Sequence, residues 1–228
     1  MQNHGMQHTE LDHLVVAGAT LEQARQWALD TLGVAPQDGG KHPLMGSHNA
    51  LLRLGGEAYP RAYLELIATD PQAPPPGRAR WFGLDDPALQ QRLQTRGPEL
   101  VGWVARSGMV DMHRWGLINA RLQPGPILKA SRETPAGLLQ WQIVVADDGR
   151  PLAGGAVPTL IQWQGPHPAE RLEDRGLALR AVTVRGMPDL AAQVLRLRPL
   201  NRQPLPGAAL EAELDTPRGP VTLRTHTD

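Results

Sequence analysis

The chain of 228 residues contains no cysteine, which excludes disulfide frameworks and zinc or iron–sulfur sites held by thiolates. It also lacks an excess of charge, because 23 Lys and Arg residues balance 23 Asp and Glu residues. No basic block would follow a phosphate backbone, so we expect no nucleic acid partner. No apolar run approaches the roughly 20 residues that cross a bilayer, and no signal-peptide pattern is present. We therefore expect no membrane partner and a cytoplasmic, bacterial protein.

Aromatic residues are scarce and unevenly distributed, with six Trp, two Tyr and one Phe. Tryptophan therefore supplies most of the large apolar side chains, and each buried indole needs an acceptor for its N–H group. The hydrophobic fraction of 41% is sufficient for a packed core in a chain of this length.

Residues 11–70 have the pattern of one β-α-β-β-β module. A β-rich run at 11–17 is followed by Thr20 and Gln23, which have the spacing of a helix capping box, and Gly33 can end the helix in a left-handed conformation. After a turn that contains Gly39 and Gly40, three further runs of strand length follow.

The rest of the chain repeats this order of elements without repeating its residues. Residues 71–99 form a proline-rich connector and a short helix that begins after Asp86. Residues 100–165 have the pattern of a second β-α-β-β-β module, and residues 177–225 that of an incomplete β-α-β-β unit. The expected fold class is α+β, with two paired modules and a partial third unit packed on the same domain.

His13 and Glu65 each lie in the middle of an apolar β run, although ionisable residues are rarely buried without a partner. If the first and last strands of the module share one curved sheet, an imidazole nitrogen and a carboxylate oxygen could bind one divalent ion. In the alternative interpretation, His13 is hydrogen-bonded in the core and Glu65 lies on a solvated face. The residue pattern leaves both interpretations open.

Several segments carry a family resemblance. They are Leu11-Asp-His-Leu-Val-Val, Gly39-Gly-Lys-His-Pro-Leu-Met-Gly-Ser-His-Asn, Tyr63-Leu-Glu-Leu-Ile-Ala, Leu160-Ile-Gln-Trp-Gln-Gly-Pro-His and Leu214-Asp-Thr-Pro-Arg-Gly-Pro. With them, the chain resembles the glyoxalase-like domain family of the vicinal oxygen chelate superfamily. The resemblance implies paired modules that form a curved mixed sheet around a metal, with ligands from the first and last strands. His13 matches the first-strand ligand and Glu65 the last-strand ligand, which also makes Glu65 the candidate catalytic residue.

The second module departs from this ligand pattern. Gly102 aligns with His13, and Gln162 aligns with Glu65. Glycine has no ligand atom and a neutral amide is a poor ligand for a tightly held transition metal, so a site with four protein ligands is in doubt.

The segment before the third strand offers further polar groups. His42 or His48 could supply a missing nitrogen ligand, although Pro43 holds His42 extended. Ser47 and Asn49 keep the hydroxyl and the amide of the family pattern, and we favour them as turn-closing or substrate-contacting groups. His48 is expected either in the pocket or at the surface.

Glutamines alternate with tryptophan and aliphatic residues at 138–145 and 159–164, so each run has an amide face and an apolar face. If the amides face the concave side, Gln142 and Gln162 contact the substrate, and Trp103 completes this candidate set. Otherwise the glutamines face solvent and the tryptophans lie in the core. His113 and His167 are expected at the surface.

Two functions follow from the resemblance. The first is a metal-dependent lyase or isomerase, in which a divalent cation held by His13 and Glu65 polarises a small carbonyl-containing substrate. The second is a metal-free protein that binds or sequesters a small molecule, as in the drug-resistance branch of the superfamily. The loss of ligand types in the second module favours the second function, whereas the presence of both His13 and Glu65 at matching positions favours the first, which we take as the main expectation. A homodimer is left open, because superfamily members often complete their sheets by pairing chains.

Overall fold

The computed structural model of the protein describes residues 8–134 and 137–226, which form twelve strands and four helices. The strands are β1 (Glu10–Ala17), β2 (Gln37–His42), β3 (Ser47–Arg53), β4 (Tyr63–Thr69), β5 (Glu99–Arg106), β6 (Ile127–Thr134), β7 (Gly137–Val144), β8 (Thr159–Gln164), β9 (Ala178–Arg185), β10 (Asn201–Gln203), β11 (Leu210–Thr216) and β12 (Gly219–Arg224). The helices are α1 (Leu21–Trp27), α2 (Pro87–Arg96), α3 (Val110–Asn119) and α4 (Asp189–Leu195). None of these helices is long and apolar enough to cross a membrane.

Strands β1 to β8 form one curved sheet with the order β2-β3-β4-β1-β5-β8-β7-β6. In each module the first and last strands are parallel neighbours, β1 with β4 and β5 with β8. The modules join through antiparallel β1 and β5, and α1 and α3 occupy equivalent places after these two strands. The expected α+β fold of paired β-α-β-β-β modules in a curved mixed sheet is confirmed.

The first helix begins where the capping chemistry predicts it. The Thr20 hydroxyl accepts a hydrogen bond from the Gln23 N–H (3.1 Å), and the Gln23 side-chain oxygen accepts one from the Ala19 N–H (2.8 Å). The helix widens into one π-helical turn at Ala28–Leu32 and ends at Gly33, which has a φ of 76°. This left-handed residue stops the helix and lets the chain enter β2.

The segment after this helix differs from the expectation. Gly39 and Gly40 lie inside β2 rather than in a turn, at a shift in the register with β3. The residues between the two strands form a short 3-10 turn at Pro43–Met45 instead of a strand. Proline at the start of that turn removes a ladder donor, which disfavours a central strand.

Side-chain alternation gives the large sheet two buried faces. Leu14 and Val16 of β1 pack into the core beneath the helices, whereas Val15 and Ala17 pack on the concave side. Because β1 lies in the middle of the sheet and is covered on both faces, its sequence is an almost continuous apolar run.

The proline-rich connector covers part of the concave face. A short 3-10 turn at Trp81–Gly83, the cover turn, packs Trp81 and Phe82 into the concave core. Phe82 has a φ of 56°, a conformation that is strained for a residue with a side chain. Asp86 then caps α2 by accepting a hydrogen bond from the Ala88 N–H (2.9 Å), as the sequence predicts.

The C-terminal unit forms a separate sheet with the order β10-β9-β11-β12. It contains one more strand than the expected β-α-β-β pattern, because the three residues of β10 pair in parallel with β9. All three are exposed, so no alternation of apolar and polar residues marks this strand in the sequence. Leu179 and Val182 of β9 belong to the same core as Leu14 of β1, which joins this unit to the helical side of the modules.

Candidate functional site

His13 and Glu65 meet on the concave face of the first module. They lie on the parallel neighbours β1 and β4, and their side chains are almost completely buried. The His13 Nε2 is 3.4 Å from the Glu65 Oε2. The parallel pairing of the first and last strands, which are far apart in the sequence, is what brings the two groups together.

Asp12 fixes the other side of the His13 ring. Its Oδ1 lies 2.7 Å from the His13 Nδ1, and its Oδ2 accepts hydrogen bonds from the Trp163 Nε1 (3.0 Å) and the His167 Nε2 (2.9 Å). Adjacent strand residues normally point to opposite faces, but a register shift in the pairing of β1 with β5 occurs here. This irregularity allows Asp12 and His13 to contact each other within one buried cluster.

The two carboxylates decide the charge of His13. Burial alone would lower the pKa of His13, but hydrogen bonds and charges from Asp12 and Glu65 outweigh it and raise the pKa to about 9. Burial alone would raise the pKa of Glu65, but the hydrogen bond and charge of His13 outweigh it and lower the pKa to about 2. The same contacts with His13 and His167 hold the pKa of Asp12 well below its usual range. At neutral pH the cluster therefore contains an imidazolium between two carboxylates.

Asn49 holds the second oxygen of Glu65. Its Nδ2 donates to the Glu65 Oε1 (2.5 Å) and lies 3.4 Å from the His42 Nε2, while its Oδ1 accepts from the Gly40 N–H (2.8 Å). The His42 Nδ1 lies 3.1 Å from the Ser47 hydroxyl. Burial lowers the pKa of His42 to about 4, against the opposing charge of Glu65, so this ring is neutral at physiological pH.

Aromatic side chains enclose the space in front of these polar groups. The cavity has a volume of about 30 Å³. Tyr63 stacks on the His13 ring with centroids 4.5 Å apart, and Trp81 meets the His42 ring edge-on at 5.1 Å. Trp141, Trp163, Phe82 and Arg132 complete the wall. The site is thus a small, largely apolar cavity whose polar groups come from β1 to β4, with Arg132 from β6.

Comparison with known proteins identifies the family to which this architecture belongs. Residues 11–197 match the model of the glyoxalase-like domain. The chain belongs to the glyoxalase-like domain family. A hypothetical protein from Staphylococcus aureus is similar with a TM-score of 0.57 and 13% identity, over 96% of this chain and 87% of that chain. No curated protein matches the chain.

Methylmalonyl-CoA epimerases are also among the similar solved structures. The enzyme from Mycobacterium tuberculosis gives a TM-score of 0.43 and 20% identity over 74% of this chain and 97% of that chain. The one from Streptomyces coelicolor, in complex with 2-nitronate-propionyl-CoA, gives 0.40 and 16% over 69% and 99%. At these identities the similarity concerns the fold alone.

The second module contributes Trp141 and Trp163, and not its glutamines, to the concave face. The Gln162 Oε1 accepts from the Val110 N–H at the start of α3, and Gln142 pairs in register with Gln162. Trp103 lies in the core beneath the helices, where its Nε1 donates to the Gly155 carbonyl. Of the residues predicted to contact a substrate, Gln142, Gln162 and Trp103 are therefore not brought to the cavity.

Two further predicted positions are clarified by the strand geometry. Asn49 lines the cavity, whereas the preceding residue His48 is half-buried and points to the other face of β3. A side chain at Gly102 would meet the Phe82 ring at 3.2 Å. The position that aligns with His13 in the second module is thus covered by the cover turn.

Asp12, Arg132 and His167 belong to the site, although no sequence pattern indicated them as site residues. The prediction that His113 and His167 lie at the surface is wrong, because both are buried, with 2% and 4% exposure. Asp12 stands beside His13 in the sequence, which is a signal that could have been used. His167 and Arg132 reach the cluster by tertiary packing, and neither has a local pattern that predicts it.

His13 and Glu65 are arranged so that they could hold a metal ion from one side, with two protein ligands. His13 and Glu65 present a nitrogen and an oxygen 3.4 Å apart, and two ligands about 2.05 Å from one tetrahedral ion are separated by about 3.3 Å. Asp12 on the other ring nitrogen is the usual support of a metal-binding histidine. The described residues contain no group of three His, Cys, Asp or Glu side chains that could hold a metal. The set therefore does not fit a closed site with four protein ligands, but fits an ion whose other positions take water or substrate.

Proposed function

We propose that the cavity is the active site of a divalent-metal-dependent isomerase- or lyase-type enzyme that acts on a small carbonyl-containing substrate. The observation that supports this function is the buried pair of His13 and Glu65, whose facing atoms are 3.4 Å apart on the first and last strands of one module. His13 and Glu65 would be the metal ligands, and Glu65 the catalytic residue.

Neighbouring side chains orient His13 and Glu65. Asp12 fixes the orientation of the His13 ring, and Asn49 holds the Glu65 Oε1 so that the Oε2 faces His13. A bound divalent ion would polarise the substrate carbonyl as a Lewis acid. Glu65 is the ionised carboxylate that lines the cavity, so it is the group that can take a proton from the carbon next to that carbonyl and return it. The aromatic wall leaves little room for water near this exchange.

A metal-free binding protein is the second candidate, and the direct contact of His13 with Glu65 favours it. Each group already satisfies the charge of the other, and an ion has to displace the proton that the His13 Nε2 shares with Glu65. The cavity wall includes Trp81, Trp141 and Trp163, whose side chains could contact a small apolar ligand. This function predicts that ligands quench tryptophan fluorescence in the absence of any metal.

The experiment that tests the proposed function is metal analysis by elemental mass spectrometry. We expect one divalent ion per chain after reconstitution, loss of this ion on treatment with a chelator, and at least a tenfold weaker affinity in Glu65→Ala. Glu213→Ala removes an exposed carboxylate on β11 and is the control that should bind metal normally. Metal affinity that is unchanged in Glu65→Ala, or no metal at all after reconstitution, would contradict the assignment and leave the binding function.

A further inference from the structure

Two hydrogen-bond donors on the cavity wall have no acceptor. Trp81 is 6% exposed, and its Nε1 is buried without a partner among the described residues. The Nε of Arg132 is also buried without an acceptor among the described residues, and both side chains line the same cavity. A buried donor without an acceptor is costly to stability, so two of them at one cavity indicate an acceptor supplied by a ligand.

Arg132 also lacks a direct ion pair in the part of the chain that the structure describes. It extends from β6 of the second module towards the first, where its Nη1 lies 3.5 Å from the Asn49 Oδ1. Within residues 8–134 and 137–226, no carboxylate forms a salt bridge with its guanidinium, whereas Arg80, Arg92 and Arg106 each pair with an Asp or Glu. Partial burial lowers the pKa of Arg132, and the negative charge of Glu65 opposes this shift.

Asn49 contacts both the Arg132 guanidinium and Glu65 of the proposed reaction centre. The amide oxygen of Asn49 faces Arg132, and its nitrogen donates to Glu65. One amide group therefore separates the guanidinium from the catalytic carboxylate. An acid bound at Arg132 would lie in the same cavity as His13 and Glu65.

We propose that the cavity selects a short-chain oxo acid, whose carboxylate binds to Arg132 and Trp81. This inference rests on the proposed function only in taking the same cavity as the substrate site. A planar guanidinium matches a carboxylate in shape and in charge, and the indole N–H adds a third donor. Arg132 and Trp81 are specificity-determining residues in this assignment, and the acid–base chemistry remains with Glu65.

The size of the cavity limits the class of acid. About 30 Å³ is room for roughly two water molecules, so only the smallest oxo acids are suitable occupants, and the wall has to move outwards even for them. A neutral carbonyl compound of the same size would leave the guanidinium without a direct ion pair.

The test compares pyruvate with its amide, pyruvamide, which differ in charge but have the same number of heavy atoms. Their binding is measured by calorimetry on the full chain, both as purified and after treatment with a chelator. We expect the acid to bind at least about tenfold more tightly than the amide in both preparations, because the donors belong to the protein.

Four variants test which residues cause the preference for the acid over the amide. Arg132→Gln should weaken acid binding by about tenfold to hundredfold and leave amide binding unchanged, and Trp81→Phe should weaken acid binding by about tenfold. Lys129→Gln removes an exposed cation from the same strand and should change nothing. Arg132→Lys keeps the charge and should keep part of the preference for the acid. If Arg132→Gln does not fold, Arg132→Lys and Trp81→Phe together test whether the two residues cause this preference.

The outcomes separate this inference from the proposed function. Equal binding of acid and amide, no binding of either at millimolar concentration, or a preference that survives Arg132→Gln would each overturn the oxo-acid assignment. A preference that disappears with the chelator would also overturn it, because the metal would then be its source. An Arg132-dependent preference in a protein that binds no metal would support the inference and refute the metal-dependent function.

Discussion

Asp12 is the residue on which the geometry of the site depends most. It is completely buried, and three donors from His13, Trp163 and His167 converge on its two oxygens. A buried carboxylate with fewer partners would be costly, so these contacts explain both its ionisation and its place in the core. The aspartate links β1 of the first module to the strand and the loop that end the second, and it thereby fixes the ring of His13 from behind.

The pKa of His42 predicts a dependence of stability on pH. The value is about 4 in the folded protein against an ordinary value of 6.5, so between these pH values the unfolded chain binds a proton that the folded protein does not. Stability should fall as the pH falls through this window, by at most about 3 kcal/mol. Urea titrations of the protein and of His42→Gln at several pH values check this. The difference in the free energy of unfolding between the two should change across the window, and a constant difference would contradict it.

At the scale of elements, the pairing of β2 with β3 positions the amide that holds Glu65. Gly39 and Gly40 lie at the register shift between the two strands, and the Gly40 N–H donates to the Asn49 Oδ1. A side chain at Gly40 would meet the Arg132 Nη1 at 2.6 Å. The glycines thus let Asn49 and Arg132 approach the backbone closely, which explains two adjacent glycines inside a strand.

Gly39→Ala is predicted to disturb this arrangement. A Cβ atom at residue 39 would lie 2.0 Å from the Asn49 Oδ1, so Asn49 has to move away from Glu65. We expect a loss of about 1–3 kcal/mol in the free energy of unfolding, measured by denaturant titration. Gly77→Ala, where a Cβ meets nothing within 4 Å, is the matched control. Equal stability of the two variants would show that the strand register tolerates the extra atom.

The sequence predicted the elements better than it predicted which of their faces form the site. The capping residues Thr20 and Asp86 and the apolar run of β1 are local signals, and the helices and the strand that they predict are present. The alternation of glutamine and tryptophan in β7 and β8 was also visible, but a period of two does not state which face turns to the concave side. The burial of His167 and Arg132 depends on contacts with distant strands, which no local pattern encodes.

At the scale of the whole molecule, the C-terminal unit is part of one continuous core. Its apolar residues pack beneath the helices with those of β1 and β4. The contact between α3 and α4 depends on Gly116, where an added Cβ would lie 2.6 Å from the Val194 Cγ1. The absence of a side chain there allows the two helices to pack closely, so we expect the three units to unfold in a single cooperative transition.

Gly116→Val tests this dependence. The added side chain would force α4 away from α3 and should lower the free energy of unfolding by about 1–3 kcal/mol, with a corresponding fall in Tm. Thermal unfolding followed by circular dichroism measures the change. Asn119→Val places the same residue at an exposed position of α3 and should have a much smaller effect. A second, separate transition in Gly116→Val would indicate that the C-terminal unit can unfold independently.

The cover turn has a consequence for the speed of binding. The cavity holds about 30 Å³, far below the roughly 300 Å³ at which ligand pockets usually begin. We expect any ligand of more than a few atoms to enter when the wall opens, and Trp81 and Phe82 of the cover turn form part of that wall. The frequency of this opening, and not diffusion, then limits the association rate. The same turn closes behind the ligand, so that even a weakly bound molecule has a long residence time.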